Sequence, residues 1–259
     1  MTMLLQVRAA TKSFGGVVAA SDVDLDVARG ELRGIIGPNG AGKSTLFNLV
    51  SGHLRLDSGS IILDGQRIER LAPHARARRG VSIVFQGARV FPAMTVLENV
   101  MVGAHARTHA GILSAALRLP AQRAEERRIA VAAHEALERV GLASWADRLA
   151  TDLPLGQQRR MQVARSLAAE PTVLLLDEPA SGLRAEERED FAVLVEQLKD
   201  IGTTILLVEH DVALVMRLAD SITVLDLGQV IAEGTPDEIR ADQRVIDAYL
   251  GAGAAHAHR

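Results

Sequence analysis

The stretch GPNGAGKST, Gly37 to Thr45, limits what this chain can fold into more than any other part of it. The run ELRGIIG leads into it, and an apolar helical pattern from Ser44 to about Val50 leads out. Glycines at this density are unfavourable inside a helix or strand, by about 1 kcal/mol each relative to alanine. They belong to a turn that joins a buried strand to a helix. In that setting the spacing G-x-x-x-x-G-K-[ST] lets backbone N–H groups converge on phosphate oxygens, and the helix N-terminus adds partial positive charge. Gly37, Pro38, Asn39, Gly40, Ala41 and Gly42 are expected to form the cradle, with Thr45 closing it. Lys43 is expected to reach the β- and γ-phosphates of a nucleoside triphosphate, and Ser44 to ligate Mg²⁺.

The flanking sequence reads as an α/β fold. Val23, Leu25 and Val27 alternate with acidic residues, the pattern of a half-exposed strand. SIILDGQRI turns at Asp64-Gly65 and ITVLDLGQVIAEG at Leu227-Gly228. The first pair tolerates the positive φ of a tight turn. Together the two hairpins predict an antiparallel β layer beside a parallel-sheet core. PTVLLLDEP and TTILLVEHD are continuous apolar strands. Between them Phe191, Leu194, Val195 and Leu198 share one helical face, and Asp211 can cap the helix that follows. Strand–helix alternation of this kind implies a parallel, helix-flanked sheet. From about Gly87 to Arg165 β-branched runs thin out, while Ile129, Ala133, Leu137 and Val140 recur at helical spacing before Gly141. This third is expected to be a helical lobe inserted into the core. The tail GAGAAHAHR is expected to be disordered.

Composition removes several classes. A chain of 259 residues, 48% apolar, can bury a large core. With 29 basic and 32 acidic residues the net charge is -3, so no overall basic field favours nucleic acid. Arg76, Arg78 and Arg79 read as a solvated charged face. Cysteine is absent, which excludes disulfides and thiolate metal sites. The start has too short an apolar run for a secretory signal, and no apolar stretch reaches the roughly 18 residues that cross a bilayer. A soluble chain is expected, whose membrane role, if any, comes through a partner.

Asp177-Glu178 ends the apolar run VLLLDE. At the C-terminal end of a buried strand beside a phosphate loop, one carboxylate can hold the magnesium shell and its neighbour can orient or deprotonate water. Alone, such a pair is more often a strand end meeting solvent. Here it stands in an ordered series: GPNGAGKST, then VFQ with Gln86, LPLGQQRR, VLLLDE with EPASGLRAEE after it, and LLVEHD with His210. The chain thereby resembles the nucleotide-binding subunits of ABC (ATP-binding cassette) transporters from about Leu4 to Gly251. The resemblance implies a P-loop NTPase core with an antiparallel β subdomain and an inserted helical subdomain, in one domain over about 1–251. Core and β subdomain would take about 1–86 and 166–251, the helical subdomain about 87–165, and the tail 252–259. It implies MgATP hydrolysis, with Phe14 stacking on adenine and Gln86 contacting Mg²⁺ and water. Asp177 would support the cation, Glu178 act as general base and His210 contact the γ-phosphate.

The resemblance also implies a head-to-tail dimer in which each phosphate loop faces the partner's signature loop, here Leu155, Gly156 and Gln157. Two positions depart from the family pattern. Pro154 stands where a serine usually offers a hydroxyl and an N–H to the partner's γ-phosphate, and Arg184 replaces an Asp or Asn. A lost charge-assisted hydrogen bond is worth roughly 1.5–3 kcal/mol. The expected assembly is a heterodimer in which this chain's own site is intact and the opposite one weakened, the alternative being that Pro154 is simply tolerated because backbone donors dominate the site. TKSFGGVVAASDVDLDV, the helical insert and the ending VIAEGTPDEIRADQRVIDAYLG look most like subunits of branched-chain amino acid importers, with amide or urea importers as relatives. Transmembrane permease subunits and a periplasmic solute-binding protein are the implied partners, at the cytoplasmic face of the membrane. Arg89, Phe91 and Met94 are candidate permease contacts, although Phe91 and Met94 equally suit a core. A weakly hydrolysing regulatory cassette and a non-transport ABC ATPase are the other readings.

Overall fold

The computed structural model describes residues 2–85, 90–104 and 120–256. Two sheets organise them. The antiparallel sheet runs in the order β2-β1-β4-β5, formed by β1 (Met3–Phe14), β2 (Val17–Ala28), β4 (Ser58–Leu63) and β5 (Gln66–Arg67). The second sheet runs β10-β9-β3-β8-β7-β6, formed by β3 (Leu32–Ile36), β6 (Val81–Val84), β7 (Val173–Asp177), β8 (Ile205–Val208), β9 (Ser221–Asp226) and β10 (Gln229–Gly234). Its neighbours pair in parallel except at the β9–β10 edge.

The central parallel strands β3, β7 and β8 are buried on both sides, their successive side chains pointing to opposite faces. On β7, Val173 and Leu175 join one apolar cluster while Leu174 and Leu176 join the other. The first cluster is closed by α1 (Lys43–Ser51), through Leu46, Phe47 and Val50, and by Leu5, Val7, Val23 and Leu25 of the antiparallel sheet. The second is closed by α3 (Val96–Ala104), α4 (Pro120–Arg139), α5 (Leu155–Leu167) and α6 (Ala185–Asp200). The expected faces are the buried ones: Ile129, Ala133, Leu137 and Val140 on one side, Phe191, Leu194, Val195 and Leu198 on the other. Between β6 and β7 every named element is helical, and its apolar side runs on into the sheet's own core. Short helices α2 (Pro73–Arg78), α7 (Val212–Leu218) and α8 (Pro236–Ala241) and the terminal α9 (Gln243–His256) complete the chain. Asp211 caps α7 by accepting the Leu214 N–H at 3.2 Å.

Three expectations need correction. The Asp64-Gly65 hairpin belongs to the antiparallel sheet, but the Leu227-Gly228 hairpin forms the edge of the parallel one, because β9 pairs with β3. Residues 252–256 are helical rather than disordered. They extend α9, whose first turns are anchored by buried Val245. Arg76 is not solvated: it is 1% exposed, while Arg78 and Arg79 face solvent. Its guanidinium donates to Leu49 O and Val50 O at 2.5 and 2.8 Å, to Glu69 O at 2.8 Å and to Leu71 O at 3.0 Å. Leu49 and Val50 sit at the C-terminal end of α1, whose carbonyls lack intrahelical partners and favour a cation. Arg76→Ala should therefore lower stability by about 3 kcal/mol in urea unfolding, against less than about 0.5 kcal/mol for Arg78→Ala.

Candidate active site

The glycine turn is wedged between two strands that approach it too closely for side chains. A Cβ on Gly37 would lie 2.0 Å from Leu225 O, and one on Gly42 2.4 Å from Ala19 O. Both glycines also hold positive φ, 151° and 102°. The β9–β10 turn clips the loop in place: Gly228 N–H donates to Ala41 O at 3.0 Å, and Ser21 N–H of β2 donates to Gly228 O at 2.8 Å. Lys43 opens α1 but bends back, its ammonium donating to Gly37 O at 2.7 Å and Pro38 O at 3.0 Å. Burial holds the Lys43 pKa below the ordinary lysine value, and the charges of Glu178 and Asp177 offset part of that.

The acids arrive from β7. Burial pushes the Asp177 carboxyl above the usual range, the neighbouring Glu178 adds to the rise, and His210 and Lys43 oppose it. Glu178 is almost fully buried, and its N–H donates to Val208 O at 2.9 Å. It has a φ of 47°, a left-handed conformation that costs a residue with a side chain on the order of 1–3 kcal/mol. The payoff is direction: Glu178 Oε1 stands 2.6 Å from His210 Nε2. Beside them Glu209 is 5% exposed, and accepts the Ala180 N–H at 2.7 Å and the His210 N–H at 3.3 Å. Burial raises its pKa, and those two N–H groups work against the rise.

One cavity of about 310 Å³ is lined by the loop from Asn39 to Thr45 together with Ala19, Glu178 and His210. Gly37 and Pro38 hold Lys43 instead, and Asp177 is not among the lining residues. Phe14 is outside the cavity at the end of β1, half exposed, with the Lys12 ammonium 5.5 Å from its ring centre. Gln86 and Arg89 fall outside the described residues. The signature residues are not brought to this cavity. Gly156 and Gln157 line a separate one of about 240 Å³ with Pro154 and Glu187. Pro154 is the N-cap of α5 with extended geometry, φ -54° and ψ 157°, so the helix starts normally without a hydroxyl cap. Glu187 accepts Gly156 N–H at 3.2 Å and the N–H of Arg184, the N-cap of α6, at 3.0 Å. Phe91 and Met94 are exposed, at 42% and 37%, which excludes the core reading for both.

Sequence reasoning missed Ala19, Glu209 and Tyr249, whose phenol is raised by burial and meets the Gly37 backbone. No local pattern marks a contact between residues so far apart in the chain. Among the described residues no group of three or more His, Cys, Asp or Glu could hold a metal. The nearby donors are hard oxygens, the Ser44 hydroxyl and the Asp177 carboxylate, and they suit a cation whose remaining ligands are phosphate and water. Among the described residues no helix is long and apolar enough to cross a membrane.

A nucleotide held by its phosphates, with a carboxylate–imidazole pair facing them, is the working arrangement of a phosphate-loop ATPase. Comparison with known proteins narrows that class. Residues 20–181 match the ABC transporter family, and residues 229–255 match the branched-chain amino acid ATP-binding cassette transporter family. The high-affinity branched-chain amino acid transport ATP-binding protein BraF of Pseudomonas aeruginosa is 42% identical over 249 residues, covering 96% of this chain and 98% of BraF. The ADP conformation of MJ1267, an ATP-binding cassette of an ABC transporter, superposes with a TM-score of 0.84 at 30% identity, covering 97% of this chain and 100% of that one. A dimeric post-hydrolysis state of the cassette MJ0796 bound to ADP and Pi gives 0.72 at 25% identity, covering 90% and 99%. The chain belongs to the ABC transporter family, as one of its ATP-hydrolysing cassettes. Lys43→Ala should weaken ADP or ATP binding by about 10- to 100-fold in calorimetry while leaving the folded spectrum unchanged.

Proposed function

We propose that this chain hydrolyses MgATP to drive a membrane importer of branched-chain or other hydrophobic amino acids. The observation that carries the hydrolytic part is the Glu178–His210 pair, 2.6 Å apart, facing the glycine cradle across one cavity. The β- and γ-phosphates lie over the N–H groups of Asn39 to Lys43, and the Lys43 ammonium leaves the Gly37 and Pro38 carbonyls for phosphate oxygen. A water attacks the γ-phosphorus in line as Glu178 takes its proton. The bond to the β-phosphate oxygen breaks, releasing ADP and inorganic phosphate. His210 holds the γ-phosphate and keeps the Glu178 carboxylate aimed at the water. Ser44, Asp177 and, from the sequence, Gln86 are the residues that would hold Mg²⁺, which when bound neutralises charge on the β- and γ-oxygens. Phe14 offers a half-exposed ring face to adenine.

In this reading the core, β subdomain and helical subdomain form one cassette that pairs head to tail with a second, and each site is completed by the partner's signature loop. Leu155, Gly156 and Gln157 then serve the opposite nucleotide, which agrees with their absence from the lining of this chain's own cavity. Pro154 removes a donor from that opposite site, which favours a heterodimer whose second site is the weaker. Exposed Phe91 and Met94, with Arg89, form the contact with the permease subunits, which hold the cassette at the cytoplasmic face of the membrane. A periplasmic solute-binding protein delivers the solute. The importer assignment is supported by the match over residues 229–255 and by the likeness to BraF along nearly the whole chain. Glu178→Gln should retain nucleotide affinity and lower phosphate release by about 10²- to 10⁴-fold; hydrolysis at the parent rate would end the proposed role of Glu178. Pro154→Ser should raise turnover of the assembled complex by up to about 10-fold, measured as steady-state phosphate release.

A further inference from the structure

Glu209 takes no part in the steps above, yet it touches the backbone on both sides of them. Its two oxygens are committed, Oε1 to Ala180 N–H at 2.7 Å and Oε2 to His210 N–H at 3.3 Å. Ala180 lies two residues after Glu178, whose left-handed backbone persists only where its surroundings over-determine it. Three hydrogen bonds supply that constraint. Glu178 N–H is held by Val208 O at 2.9 Å, Glu178 O is held by Ser181 N–H at 3.1 Å, and Ala180 N–H is held by Glu209. The third comes from a side chain, and its owner is the residue next to His210 in sequence. Burying a carboxylate is unfavourable unless it is hydrogen-bonded, and here the compensating donors are the two segments that carry the reacting pair.

We propose that Glu209 is a positioning residue for hydrolysis. It ties the backbone after Glu178 to the backbone of His210, so that carboxylate and imidazole stay within hydrogen-bond reach across the nucleotide. This rests on Glu178 and His210 being the hydrolytic pair. Glu209 is absent from the lining of the phosphate cavity, so its loss falls on the chemical step and not on nucleotide affinity.

The test uses three readouts: steady-state MgATP hydrolysis by the assembled complex, and MgATP affinity by calorimetry and amide hydrogen exchange over residues 178–183 on the purified full chain. Glu209→Ala should lower kcat by about 10-fold or more, since small misplacements of reacting groups are costly, and should leave Kd within about two-fold. The Ala180 amide should exchange faster. Glu209→Gln keeps an oxygen for Ala180 N–H and should recover most of the lost rate. Unchanged exchange in Glu209→Ala overturns the proposal. So does an unchanged kcat, a parallel loss of affinity and thermal stability, or a Gln variant no better than Ala. Glu178→Gln in the same assay separates the two levels: parental hydrolysis there defeats the assignment of the pair, while the exchange readout still decides whether Glu209 holds the backbone.

Discussion

Two backbone approaches, Gly37 to the Leu225 carbonyl and Gly42 to the Ala19 carbonyl, set the position of everything else in the site. They bring the phosphate loop against the end of β9 on one side and against β2 on the other, so one loop is built from two sheets. The loop can lie there only because α1 is pressed onto the parallel sheet by an apolar cluster shared with the antiparallel one. Arg76 then closes the far end of the same helix. Phosphate binding and sheet packing are in this sense one problem: loosening the contact between the sheets would move the N–H groups that face the nucleotide.

Electrostatics follows from that burial. An ammonium and two adjacent carboxylates share a partly desolvated space, where burial moves the Lys43 pKa downward and the Asp177 pKa upward. Glu209 shows the same upward displacement one strand away. Shifts of this kind gather where charge is to be neutralised by a ligand. In this chain Lys43, Asp177 and Glu209 carry them around the end of β7 and the loop after β3, while Arg76, Arg159 and Arg165 carry burial shifts elsewhere.

Much of this was legible in the residues because burial leaves a period. Ile129, Ala133, Leu137 and Val140 face inward at helical spacing, and Val23, Leu25 and Val27 at strand spacing, since each element has one side to hide. The phosphate loop was legible because only glycine tolerates those contacts. What escaped depended on tertiary placement. Leu227-Gly228 announces a turn, but turn chemistry does not say which sheet the hairpin joins. Arg76 looked solvated because nothing local shows that carbonyls from α1 and from residues 69–71 converge on it. Glu209 reads as an ordinary polar strand end until its contact with Ala180, 29 residues away, is seen. Leu155, Gly156 and Gln157 do not line the chain's own phosphate cavity, and no local pattern shows that they are kept apart from it.

The bend of Lys43 onto Gly37 and Pro38 carries a consequence for kinetics. With its ammonium as an internal strut, the turn is braced by a side chain as well as by its own backbone. Entry of a triphosphate then needs one flexible side chain to swing, a motion on the picosecond-to-nanosecond scale, and no ordering of backbone. Capture should thus be limited by encounter, and the entropy that a floppy loop would surrender on ligation has already been spent during folding.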